Sequence, residues 1–209
     1  MHIPDGFLTT PIIVVTWIIT LVVIGYAIKR TKNKLTDAHI PLMGVLAAFV
    51  FAAQMLNIPV AAGTSGHFLG GVLVAIFVGP WAGTVIMACV FIVQALIFQD
   101  GGLLAMGANI FNMGIIGTLC GYYIYIALKK IMHSRLPAAG ATAWISVVLA
   151  STACSLELAA SGTSPLHLVL PAMVGVHALI GIIEAVITVV VLSTVLKSRP
   201  DLLSLEVPS

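Results

Sequence analysis

Met1 and His2 open this chain, and a third group able to bind a metal, His67, lies in a run of glycine, serine and threonine. A terminal amine followed by histidine in second place is a chelator in its own right. The Met1 amine, the His2 peptide nitrogen and the His2 imidazole Nδ1 close a five-membered and a six-membered ring on one cation. The peptide nitrogen must lose its proton to bind, which only a strongly Lewis-acidic late 3d ion makes feasible, and the donors then lie nearly in one plane. Planar nitrogen coordination suits Ni(II) or Cu(II) and not tetrahedral Zn(II). The plane still needs a fourth donor, and His67 is the candidate.

The elements that must bring these groups together are membrane helices. Of 209 residues, 60% are hydrophobic and only 8% are charged, against about 25% charged in soluble domains. That composition specifies an all-α integral membrane protein and excludes a nucleic-acid binder. No Lys or Arg precedes the first apolar stretch, and Asp5 stands where a leader peptide would be basic. Met1 is therefore expected to persist in the mature chain. Cys89, Cys120 and Cys154 fall singly inside apolar runs, which reads as three buried packing thiols.

A crossing helix needs roughly 20 apolar residues, and the pattern predicts helices near 12–28, 40–57, 68–79, 80–99, 106–128, 138–160 and 168–196. The stretch from Phe68 to Gln99 holds 32 residues, about 48 Å as one helix. It is interrupted at Gly79-Pro80-Trp81. All nine Lys and Arg residues fall in three clusters: Lys29, Arg30, Lys32 and Lys34; Lys129, Lys130 and Arg135; Lys197 and Arg199. Positive residues in short loops mark the cytoplasm. The first two clusters share a side only if residues 68–99 cross twice, which gives a seven-transmembrane-helix bundle with the amino terminus outside and the carboxyl terminus cytoplasmic. The chain then reads as one transmembrane metal-binding domain over 1–209. Residues 1–11 form a chelating arm, 12–196 the bundle and 197–209 a cytoplasmic tail. His2 and His67 fall on the same, outer side.

Other polar residues have more than one reading. Thr64 or Ser65 is placed to cap the helix that follows, and Gly63, Gly66, Gly70 and Gly71 leave room for another backbone beside His67. Asp5 either orients the His2 imidazole and balances the ion's charge or caps a helix. His39 and His133 beside the basic clusters read as solvated interface residues, His167 as an outer-loop residue, and His177 as bonded to a neighbouring helix. Glu157 and Glu184 lie at membrane depth, where a carboxylate is costly enough to be a functional candidate. Gly44, Ala48 and Ala52 form a small-residue row at four-residue spacing, suited to close helix contact inside this chain or with a partner.

Longer motifs then carry a resemblance. The opening Met1-His2-Ile3-Pro4-Asp5-Gly6-Phe7-Leu8, the turn Thr64-Ser65-Gly66-His67, the run Gln99-Asp100-Gly101-Gly102 through Met106-Gly107-Ala108-Asn109, and Ser161-Gly162-Thr163 through Gly175-Val176-His177-Ala178-Leu179-Ile180-Gly181 resemble the CbiM/NikM family. Its members are the substrate-binding membrane components of nickel and cobalt energy-coupling factor transporters. The resemblance implies the same metal set of Met1, His2 and His67, with Asp5, Ser65 and Asn109 as candidates to stand behind the ligands. It implies Ni(II) or Co(II) as transported substrate, with no organic cofactor and no catalytic residue. It further implies that the Gly44, Ala48, Ala52 row docks on a transmembrane coupling subunit, and that separate cytoplasmic ATPase subunits drive transport. Some relatives add a small accessory membrane subunit.

No GxxxxGK[ST] phosphate loop occurs in the sequence, so ATP hydrolysis is expected of those partners and not of this chain. The expected place is a prokaryotic cell membrane. An alternative within the family is a cobalt-specific importer component feeding cobalamin synthesis. Rivals outside it are an autonomous proton-coupled metal transporter using Glu184, an intramembrane metalloenzyme and a structural scaffold. No HExxH pair supports the enzyme.

Overall fold

Pro11 lies in the first turn of the first helix, α1 (Thr10–Thr31), where a missing N–H costs nothing, and Lys29 and Arg30 close its last turn. The structure, a computed structural model, describes residues 1–56, 58–59 and 65–205. After α1 come α2 (His39–Gln54), α3 (Gly71–Val78), α4 (Pro80–Ile97), α5 (Met106–Met132), α6 (Arg135–Ala160) and α7 (Leu166–Ser198). A short 3₁₀ turn spans Pro200–Leu205, and the two-residue strands β1 (Ile58–Pro59) and β2 (Ser65–Gly66) pair antiparallel. The predicted break falls where expected. Gly79, at φ 80°, ends α3 and Pro80 begins α4. The middle of α5, Ile110–Cys120, is wound as a π-helix, which sequence periodicity did not announce.

Helices α1, α4, α5, α6 and α7 are long and apolar enough to cross a membrane. Helix α2 has 16 residues and α3 only eight, or about 12 Å of rise for α3. The expected helix over 68–79 is thus shortened at its start, because residues 67–70 are not helical and Gly70 turns into α3 at φ 81°. All eight residues of α3 are buried. Non-helical backbone is tolerated at such depth only where protein surrounds it, and here the bundle does.

The capping expected of Thr64 or Ser65 falls on Thr64 and the Ser65 side chain, which lie outside the described residues. Glu184 of α7 caps the start of α3. Its carboxylate accepts the Leu69 and Gly70 N–H groups at 2.6 and 2.8 Å, and an anion at a helix start also meets the positive end of the dipole. Gly71 packs so close to α5 that a β-carbon there would lie 2.8 Å from the Gly117 carbonyl carbon.

The chain shuttles between two ends. At one end the amino-terminal arm meets the α6–α7 turn, where the Thr9 N–H donates to Ser161 Oγ and the Thr163 hydroxyl donates to the Phe7 carbonyl. At the other end Lys129 and Arg135 share a small pocket with Ile76 and Leu203, and Arg199 lines a second with Ala38 and Pro41. The three basic clusters are therefore collected at the end opposite the arm.

Three further expectations change. Cys89 and Cys120 are exposed on the outside of the bundle, and only Cys154 is buried. His39 is buried and its Nδ1 accepts the N–H and hydroxyl of Thr36, so it organises the start of α2 and is not a solvated residue. Gly44, Ala48 and Ala52 all face outward from α2, and nothing approaches a β-carbon placed on Gly44. The row is not a contact between helices of this chain.

Glu184→Ala removes the acceptor for two N–H groups inside the bundle. Each orphaned donor is expected to cost about 1–3 kcal/mol, read as a lowered unfolding midpoint of purified protein in detergent, and Glu184→Gln, whose amide keeps one acceptor and turns an N–H against the second donor, should recover only part of the loss.

Candidate metal centre

The arm is drawn into the bundle by two apolar anchors and held by backbone hydrogen bonds. Ile3 and Leu8 are buried against Ala105, Ala108 and Cys154. The Asn109 side chain grips the Ile3 peptide from both sides, Oδ1 accepting its N–H at 2.7 Å and Nδ2 donating to its carbonyl at 3.1 Å. Gly102 N–H also donates to the Ile3 carbonyl at 2.9 Å. Asp5 accepts the N–H groups of Leu103, Leu104 and Ala105 at 3.0, 2.8 and 3.1 Å. Of its two readings, the helix-capping one matches these contacts, because Ala105 is the residue before α5. A β-carbon on Gly102 would collide with the Asp5 backbone nitrogen and carboxylate. Glycine is required at this crossing of two chains.

So anchored, the arm places the Met1 amine 3.3 Å from His67 Nε2. The His2 and His67 rings lie 4.8 Å apart between centroids, and Phe91 closes the other side of His2 edge-on at 5.6 Å. With metal–nitrogen bonds of about 2 Å, adjacent corners of a square are about 2.8 Å apart, so an amine–imidazole edge of 3.3 Å needs only a small contraction. Among the described residues no three His, Cys, Asp or Glu side chains converge on one point. A metal held here must use main-chain nitrogen.

Hydrogen bonding decides which ring nitrogens keep lone pairs. His67 Nδ1–H donates to the Phe68 carbonyl at 2.9 Å, which leaves Nε2 free toward the amine. His2 Nε2 lies 3.1 Å from Gln94 Oε1. Gln94 Nε2 donates to Gln54 Oε1 at 2.7 Å, and Gln54 Nε2 donates to the Leu69 carbonyl at 2.7 Å. This relay orients both amides, so Gln94 presents an oxygen and His2 must carry its proton on Nε2. His2 Nδ1 is left with the lone pair that the fused chelate requires.

Burial disfavours the charged forms of these groups. It lowers the Met1 amine from its ordinary value. It lowers His2 to about 4, helped by the adjacent amine charge, and His67 well below the usual imidazole range, helped by the amine and by His2. The contact of 3.3 Å between His2 Nδ1 and Asp100 Oδ1 therefore brings a carboxylate to a neutral ring at neutral pH.

The remaining candidates are placed as follows. Asn109 stands directly behind the arm; the Ser65 side chain lies outside the described residues, although its backbone pairs with Pro59. Glu157 accepts Asn112 Nδ2 at 2.6 Å, and Glu184 is engaged at α3, so neither carboxylate joins the donors. His177, expected to bond to a neighbouring helix, instead donates from Nδ1 to the Met173 carbonyl of its own helix at 2.8 Å, and it lines, with Met1, His2 and Cys154, a cavity of about 330 Å³. His167 and His133 are exposed. Gln54, Gln94 and Asp100 are the residues missed from sequence. Two glutamines inside apolar helices were the available signal, since an amide at membrane depth needs a partner.

The comparisons agree with one another. Residues 2–202 match the model of the CbiM family, described as the cobalt uptake substrate-specific transmembrane region. A protein of Archaeoglobus fulgidus named as a fused nickel transport protein, NikMN, is 43% identical over 206 residues, covering 97% of this chain and 68% of its own length. One from Methanosarcina barkeri named as a cobalt transport protein, CbiM 1, is 32% identical and covers 97% of this chain and 92% of its own. A crystal structure of a truncated transition metal transporter superposes with a TM-score of 0.88 at 31% identity, covering 94% of this chain and 99% of that one.

Gln94→Leu breaks the relay behind His2. Nickel affinity is expected to fall by about 10–100-fold, and the unfolding midpoint to drop as well because the buried Gln54 Oε1 loses its donor, as measured by titration calorimetry and thermal melting of the same preparation. Gly102→Ala, by contrast, should expel the arm and lose stoichiometric binding altogether.

Proposed function

The chain belongs to the CbiM family and is a multi-pass membrane protein of the transporter kind, and on that footing we propose that it is the substrate-binding component of an energy-coupling factor importer of Ni(II) or Co(II). The observation that carries the reading is the approach of the Met1 amine to His67 Nε2, with hydrogen bonds that leave Nδ1 of His2 and Nε2 of His67 as the ring nitrogens with free lone pairs. Four nitrogens complete a planar set: the Met1 amine, the deprotonated His2 peptide nitrogen, His2 Nδ1 and His67 Nε2. Flatness supplies the selection. A d⁸ Ni(II) ion gains most from four strong nitrogen donors in a plane, low-spin Co(II) also accepts them, and Zn(II) prefers a tetrahedron that this arm cannot supply.

The arm end faces outside and the basic end faces the cytoplasm, following the positive-inside bias. Seven helical segments then alternate across the bilayer, with α3 embedded in protein instead of spanning alone. The outward row Gly44, Ala48, Ala52 offers α2 to a transmembrane coupling subunit. Cytoplasmic ATPase subunits supply the work, with a small accessory membrane subunit as a further partner. The bound ion is the cargo, released inward when those partners move this component.

Metal analysis of protein grown with equal nickel and cobalt ranks the two ions, and the visible spectrum of bound nickel reports planarity. His2→Ala, His67→Ala and one residue added ahead of Met1 should each abolish stoichiometric binding while the unfolding midpoint persists. A full complement of nickel in the extended variant would sink the amine assignment.

The pH response has a defined sign. Binding requires the His2 peptide nitrogen to release its proton. Affinity should therefore fall about tenfold for each unit of acidification. A flat profile across pH 6 to 8 would remove the peptide nitrogen from the ligand set, and a hundredfold change per unit would mean that a second donor is protonated in the free protein.

A further inference from the structure

We propose that Asp100 is the landing carboxylate of this site: an incoming hydrated dication first bridges Asp100 Oδ1 and His2 Nδ1, and the planar set closes afterwards. The inference rests on the proposed planar nitrogen site and adds the route into it.

The geometry begins with two atoms that should not face each other. The glutamine relay puts the His2 proton on Nε2, so Nδ1 presents a lone pair, and 3.3 Å away stands a carboxylate oxygen. A cation between them satisfies both. Among the described residues no N–H or O–H donates to the Asp100 carboxylate, in contrast to Asp5, whose oxygens are taken up by three backbone N–H groups. Asp100 is thus a carboxylate with its acceptor capacity unspent, and its side chain is 37% exposed.

The turn that carries it is built for this placement. Gln99 adopts φ 55°, a left-handed conformation uncommon for a residue with a β-carbon, and Gly101 follows at φ 95°. The Asp100 N–H is tied to the Gln94 carbonyl at 3.1 Å, from the same residue whose side chain orients His2. A β-carbon on Gly101 would lie 3.2 Å from His2 Cδ2, so the turn passes directly against the ring.

Two cavities reach the donors, and they differ in chemistry. The one lined by Met1, Phe7, Leu158 and Val176 is largely apolar, about 330 Å³. The other, about 390 Å³, is lined by His2, Asp5, Asp100 and the glycines of the 101–102 turn. A divalent ion loses its water reluctantly, and a largely apolar passage that offers no carboxylate among its lining residues returns little for the water it strips. On the Asp100 side each protein donor replaces one water. The carboxylate and His2 Nδ1 take the first two positions; the amine, the peptide nitrogen and His67 Nε2 follow. The peptide proton leaves to solvent, and Asp100 and the remaining waters are released as the set flattens.

The test is stopped-flow mixing of the full-length protein in detergent with nickel chloride, following the planar absorption band at several salt concentrations. For Asp100→Asn the association rate should fall by roughly tenfold or more and lose its salt dependence, while the final band and the one-to-one stoichiometry stay unchanged. Asp100→Glu should restore both rate and salt response. An Asp100→Asn protein that binds as fast as the unsubstituted chain, with the same salt response, overturns the proposal. So does loss of the planar band in Asp100→Asn, which would make Asp100 a permanent ligand, and so does an Asp100→Glu variant as slow as Asp100→Asn. If the unsubstituted chain never develops a planar band, the planar site itself fails, a result distinct from all three.

Discussion

An extended peptide carried into an apolar bundle must find a partner for each N–H and C=O it brings, because no water is there to supply one. That requirement organises this protein. Asn109 and Gly102 take up the Ile3 peptide, Asp5 takes up the loop against which the arm lies, and Glu184 takes up the extended approach to α3. Once these groups are satisfied, the arm has one position only. The amine arrives beside His67 because nothing else is left to it.

The same economy explains the buried amides. Gln54 and Gln94 are costly residues for α2 and α4, yet each spends its hydrogen-bonding capacity on setting the next group in line, from the Leu69 carbonyl to His2. Their joint effect is a tautomer. In the proposed site, a ring with its proton on Nδ1 would present an N–H where the metal needs a lone pair, so the relay decides whether His2 can serve as a ligand. Glu184 belongs to the same class of device: a carboxylate at membrane depth that reads as a proton carrier from sequence, and that serves as the cap of a short interior helix.

Small residues matter at only a few places, and for a stated reason at each. Gly102 lets the arm cross the 98–105 loop, and Gly71 lets α3 touch the backbone of α5. Gly44, Ala48 and Ala52 differ, since they face outward and leave a flat strip on α2. A row of the same composition can therefore mean close packing within the chain or a surface prepared for another one, and only burial tells them apart.

Much was legible in the sequence because it depends on local chemistry. The chelating order of amine, peptide nitrogen and imidazole follows from His2 being second, and the membrane class follows from composition. The break at Gly79-Pro80 follows from the conformational limits of those residues, and the basic clusters collect at one end as their spacing required. The tertiary structure decided what depends on distant pairings: that His67 faces the amine with Nε2, that α3 starts at Gly71 under the Glu184 carboxylate, that Asp5 caps α5, that Cys89 and Cys120 lie outside, and that Gln54, Gln94 and Asp100 surround the donors. Hydrophobic periodicity records which face of a helix is apolar; it does not record which buried polar groups of different helices meet, because hydrogen-bond partners across a bundle leave no regular spacing in the chain.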